Sequence, residues 1–175
     1  MTSLDGRDLV VRALRATGAI AVLYSFLYYA LPAATGFDLV ALLNLVLASN
    51  SAMLMNVLTF PVTQSGTHLI LHGAEVVVTN DCNGLGVWFL VVGAMMAMPA
   101  VRWQSRVGGI AASGVALMSL NVVRISTLCY LQASRPLWFS TFHEQVAPLI
   151  IVIAASACVA AWFRRAAEAD YATVQ

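Results

Sequence analysis

Three side chains of unlike chemistry interrupt an otherwise apolar sequence. They are a thiol, Cys82, in the polar run Thr79-Asn80-Asp81-Cys82-Asn83-Gly84-Leu85-Gly86; a guanidinium, Arg124, in Asn121-Val122-Val123-Arg124; and an imidazole, His143, in Phe142-His143-Glu144-Gln145. Cys82 precedes an apolar block that reads as a membrane helix, and a thiol at the first turn of a helix sits where the dipole and free N–H groups favour the reactive thiolate. His143 can take and return a proton. Arg124 is a fixed cation able to hold a developing oxyanion. A cysteine, a proton shuttle and an oxyanion partner are the parts needed for acyl transfer.

For these groups to work together, the elements that carry them must bring them to one depth. The 175 residues are 61% hydrophobic and 10% charged, with a mean hydropathy of +0.84. This is too apolar for a soluble domain and too short for several, so one integral-membrane domain over 1–175 is expected. The nine basic residues are all arginine and are balanced by eight acidic ones, which indicates no surface for nucleic acid. Cys129 and Cys158 lie within apolar runs and read as packing residues.

The fold class expected is an all-α polytopic membrane protein with about four transmembrane helices, at 13–31, 84–101, 107–131 and 146–163. The first run reads as a retained helix and not a signal peptide. The segment 37–60 is apolar but broken by Asn44 and Ser49-Asn50-Ser51. If it crosses, Arg102, Arg106, Arg164 and Arg165 fall outside; if it is interfacial or re-entrant, they share the cytoplasmic side with Arg7, Arg12 and Arg15. The second arrangement is the expected one, with both termini cytoplasmic in the plasma (inner) membrane. The segment 67–80, THLILHGAEVVVTN, alternates on either side of Gly73-Ala74. It predicts a short extracytoplasmic hairpin with a type II′ turn there, His72 opposite Glu75, and His68, Ile70 and His72 on one face. The stretch from Gln132 to Phe142 reads as a loop, and Trp88, Trp103, Trp138 and Trp162 as interfacial anchors.

Under this topology Cys82, Arg124 and His143 all fall at the outer face, on three helices. An arginine in the bilayer core costs roughly 2.5–3.5 kcal/mol on insertion scales, which makes Arg124 a functional candidate. Counting back from Leu131, it lies about 10 Å below the outer surface. Asn121 shares its helix face and can orient the guanidinium.

Asp81-Cys82-Asn83-Gly84, then Asn121-x-x-Arg124, then His143 before the last span resemble the exosortase and archaeosortase family of membrane-embedded cysteine transpeptidases. The resemblance runs over about Leu54 to Arg165. It implies that Cys82 is the nucleophile, His143 the acid/base and Arg124 the third catalytic residue, with Asn121, Asn83 and Gly84 supporting. It implies no cofactor or metal. The implied partners are membrane lipid and exported substrate proteins that carry a C-terminal motif, a transmembrane helix and a basic cluster. The family usually has serine where this chain has Asn83, and many members carry more helices.

Two other classes fit parts of the pattern. In a non-enzymatic assembly or anion-handling transporter subunit, Arg124 would bind an anion. In a zinc-dependent membrane hydrolase, His68 and His72 would share a metal with Asp81 and Cys82.

Overall fold

A computed structural model describes residues 6–98 and 101–172. The first helix, α1 (Gly6–Ser25), runs through a π-helical turn (Phe26–Ala30) into α2 (Leu31–Thr35). Then come α3 (Leu39–Val57), strands β1 (Thr63–Ser65), β2 (His68–Leu71) and β3 (Ala74–Val77), a 3₁₀ turn (Asn80–Cys82) and α4 (Leu85–Ala97). The longest helix, α5 (Trp103–Ser134), leads into α6 (Pro136–Thr141), a second π-helical turn (Phe142–Val146) and α7 (Ala147–Ala172).

Both π turns have the same cause. A proline inside a helix lacks the N–H for its own bond and clashes with the carbonyl four residues back. Widening the preceding turn moves that carbonyl aside, so Leu31 N–H reaches back five residues to Phe26 O, just before Pro32, and Ala147 N–H reaches Phe142 O, just before Pro148. Pro32 therefore does not end the first helix, as the sequence reading expects. The Gln132–Phe142 loop is likewise replaced by helix: the chain breaks only at Arg135 (φ −146°, ψ 62°), and Pro136 restarts it in the first turn, where its missing N–H costs nothing.

The hairpin gains a third strand, in the order β1-β2-β3. Its turn is His72-Gly73, one residue earlier than the spacing suggests, with Leu71 opposite Ala74. Both turn residues have positive φ, 51° and 82°, which is the type I′ geometry that matches strand twist. Glu75 consequently faces Ile70, not His72, and its carboxylate pairs diagonally with His68 Nδ1. Leu69 and Leu71 point inward, against α3 and against Ile125 and Cys129 of α5.

Long-range contacts fix the helix directions. Along α1 and its π turn, Ile20 meets Gly93, Tyr24 meets Phe89 and Tyr28 meets Asn83, so α1 opposes α4. Asn121 meets Cys82, Ile110 meets Trp88 and Arg106 meets Met98, so α5 opposes α4 as well. The 124–143 and 105–162 contacts set α7 against α5 and parallel to α4. Ser51 touches Val122 and Ser126, and Phe60 stacks edge-on against Tyr130, so α3 runs the same way as α5 and α1.

Four helical stretches are long and apolar enough to cross a membrane: Val10–Thr35, Leu39–Val57, Trp103–Ser134 and Pro136–Ala166. The sequence reading put 84–101 in that group and 37–60 outside it; by length the two exchange places, because α4 has only 13 residues, about 20 Å. Helix α4 stops at Met98, whose extended backbone is what a following proline imposes. Its last carbonyls are capped by one side chain: Arg106 donates from Nη1 to Met96 O (2.8 Å), from Nη2 to Met98 O and from Nε to Val101 O (3.2 Å).

The glycines of α5 admit two indoles. Trp162 Nε1 donates to Ser105 O and lies over Gly109, while Trp88 Nε1 donates to Ile110 O and lies over Gly114, where a Cβ would come within 2.9 Å. Each ring thus sits on the glycine at or beside the next turn and takes the second lone pair of a helix carbonyl. Trp88 and Trp162 are packing residues; only Trp103 and Trp138 are exposed, near opposite ends of α5.

Candidate active site

Cys82 closes the 3₁₀ turn, its N–H bonded to Thr79 O at 3.0 Å. Helix α4 begins at Leu85, so the thiol stands before the helix and not in its first turn, and the dipole acts on it more weakly than the sequence reading supposes. The loop around it is held from three helices. From α5, Asn121 Nδ2 donates to Cys82 O at 2.8 Å. From α3, Asn44 Nδ2 donates to Asn80 Oδ1 at 2.7 Å. From the first π turn, the Tyr28 hydroxyl accepts from Asn83 Nδ2 at 3.0 Å.

Asn83 is 1% exposed, and its Oδ1 takes the Leu85 N–H at 3.0 Å, which satisfies the first orphan donor of α4. Gly84 has φ +72°, and a Cβ there would come within 3.4 Å of Asn121 Cγ. Glycine fits both the left-handed backbone and the close approach of α5. Asn121 is therefore turned toward Cys82 and Gly84; it does not bond to Arg124, as the sequence reading suggests.

Arg124 and His143 meet. Nη2 of Arg124 lies 3.5 Å from Nδ1 of His143. A guanidinium only donates, so this long contact is a hydrogen bond when Nδ1 carries no proton and Nε2 does. The imidazole also stacks on Phe139, one turn back, with centroids 5.7 Å apart. Among the described residues no carboxylate lies within salt-bridge range of Arg124, and its buried Nε has no partner.

A cavity of about 290 Å³ joins these pieces, lined by Tyr24, Tyr28, Asp81, Asn83, Gly84 and Arg124, with Pro148 and Val152 of α7 on its far wall. Cys82 and His143 are half-buried at its margins and do not line it. The Cys82 thiol makes no hydrogen bond to Arg124 or His143 among the described residues. The structure thus brings Arg124 to His143 and Asn121 to Cys82, with Arg124 and the two chain neighbours of Cys82 lining one cavity. Sequence reasoning missed Tyr28 and Asn80 as site residues and read Asn44 only as a break in an apolar run; an amide flanked by Leu43 and Leu45 was the available signal.

The zinc alternative needs His68 and His72 beside Asp81 and Cys82. His72 is in the hairpin turn, His68 is paired with Glu75, and among the described residues no three metal-capable side chains gather.

The chain matches the family model of the transmembrane exosortases over residues 9–161. It belongs to the transmembrane exosortase family. The match runs from within α1 to within α7 and takes in all six candidate site residues of this exosortase. No curated protein and no solved structure matches the chain. Family and helices together make it a multi-pass membrane protein.

Proposed function

We propose that this exosortase is a cysteine peptidase/transpeptidase that cleaves the C-terminal sorting signal of exported proteins just outside the inner membrane and transfers or releases the product. The observation that carries this reading is the Arg124–His143 contact at the rim of the cavity bounded by the residues on both sides of Cys82.

In the first step the guanidinium turns from its long contact with His143 toward the substrate, the freed Nδ1 takes the Cys82 proton, and Sγ attacks the scissile carbonyl carbon. Arg124, whose Nε lacks a partner, donates to the oxygen that becomes negative. Collapse breaks the C–N bond; the leaving amine takes the proton from His143, and a thioester remains on Cys82. An acceptor amine or water then gives a proton to His143, attacks the thioester and expels the thiolate.

The orientation is supported by charge. The start of α1, the α4–α5 junction and the end of α7 lie at one end of the bundle and carry Arg12, Arg15, Arg102, Arg106, Arg164 and Arg165, so that end is cytoplasmic. Arg124 stands about 27 Å along α5 from Arg106, close to the roughly 30 Å depth of the hydrocarbon core, which supports chemistry near the outer boundary. Helix α3 follows α1 after a short link and runs the same way, so it rises on the outer side and does not return across.

The test is capture of a covalent acyl adduct at Cys82 in wild-type vesicles, absent in Cys82→Ala. A Cys82→Ala protein that retains its cellular role would overturn the reading. Arg124, a cation in the cavity wall with no carboxylate in salt-bridge range among the described residues, also suits an anion-handling subunit; that reading expects anion binding lost in Arg124→Gln and untouched by Cys82→Ala.

A further inference from the structure

An apolar groove of about 490 Å³ runs between α4 and α7. It shares Val87 and Val152 with the active-site cavity, so the two form one continuous path. The walls descend in step. On α4 the groove passes Leu90 and Ala94 to end at Met98; on α7 it passes Ser156 and Ala160 to end at Phe163. Eleven residues on each side give about 16 Å, ending level with Arg106 at the cytoplasmic end. Cavity and groove together thus track about 27 Å of the bundle, against a hydrocarbon core of roughly 30 Å.

We infer that the groove between α4 and α7 seats the transmembrane helix of the substrate, with the preceding extended residues lying in the cavity beside Cys82. This inference rests on the proposed function, which it deepens by locating the anchor. A second apolar pocket touching the site, between α5 and α7 at Arg124 and Ile151, holds about 60 Å³, too little for a helix. The groove is also suited to a helix by its surface. Ala94, Ala155 and Ala160 let a backbone approach closely, and the Ser156 hydroxyl is already spent on Val152 O at 2.9 Å, so no unpaired polar group faces the path. A helix satisfies its own backbone and needs only such a wall. Leu90, on the α4 wall of the groove, is 72% exposed.

A photocrosslinking amino acid at Leu90, Ser156 or Ala160 tests this, with full-length protein in phosphatidylethanolamine/phosphatidylglycerol vesicles. The probe is a peptide with an extended polar head, a helix of about twenty Leu and Ala residues and an arginine tail. The same label at Leu42, in the groove between α1 and α3, serves as control. Peptide adducts at the three α4/α7 positions, at least fivefold above Leu42, are expected. Adducts to lipid alone, or peptide adducts equal at Leu42, overturn the inference. Alkylation of Cys82 by iodoacetamide and thioester capture are read in the same vesicles. If they persist while crosslinks fail, the groove assignment falls alone; if crosslinks stand while Cys82 captures no acyl group, the catalytic reading falls alone.

Discussion

Asn121 and Arg124 lie one helical turn apart on α5 and serve different halves of the site: one fixes the backbone at the thiol, the other faces the imidazole. Their losses should differ in kind. Asn121→Ala leaves the Cys82 carbonyl without its donor, which costs about 1–3 kcal/mol, and both the melting temperature and the thioester yield should drop. Gly84→Ala forces a side chain onto φ +72°, about 1–2 kcal/mol, and presses on Asn121; it should resemble Asn121→Ala in both readouts. Arg124→Lys keeps the charge but loses the planar fork. It should leave stability nearly unchanged and lower the acylation rate by about 10²–10³, measured as the rate of adduct formation at Cys82. An Arg124→Lys enzyme of normal rate would remove the guanidinium from the mechanism.

At the scale of elements, two devices set the positions of those residues. The first is proline. Pro32 and Pro148 are plain in the sequence, but their effect is a widened turn that carries Tyr28 in one case and His143 in the other to the site, and neither turn was legible because the tertiary contacts decide whether a proline ends a helix or distorts it. The long apolar runs and the inward face of Leu69 and Leu71 were legible, since each depends on local period or composition. The hairpin turn slipped by one residue because His72 accepts a left-handed backbone that a spacing rule reserves for glycine. Deleting Gln145 should return the second π turn to α geometry and swing His143 about 100°. The protein should still insert and fold, with thioester capture lost. The second device is Arg106, which alone caps the end of α4. Arg106→Ala strips several part-buried or exposed carbonyls of their donor, and a fall in thermal midpoint of several degrees is expected for about 1–3 kcal/mol.

For the whole molecule, the alternating directions of α1, α4, α5 and α7 set the start of α1 and the end of α7 at one end of the bundle; under the proposed orientation, protease protection of terminal tags in sealed inverted vesicles should be lost together. A label on Gln64 in the sheet should react only from the opposite side. The parallel run of α3 and α5 also bears on how the chain is made. Under the proposed orientation, the segment that carries the thiol is exported long before its support exists, because Asn121 is synthesised 39 positions after Cys82 and the partners of Ser51 come 71 and 75 positions after it. At about 5–20 residues per second, the wait for Asn121 alone lasts roughly 2–8 s. During that interval the strands and their thiol are an unbraced nascent domain. A ribosome-arrested intermediate ending near Gly108 should therefore be nicked between Thr59 and Asn83 by added protease, and one long enough to deliver all of α5 should resist it.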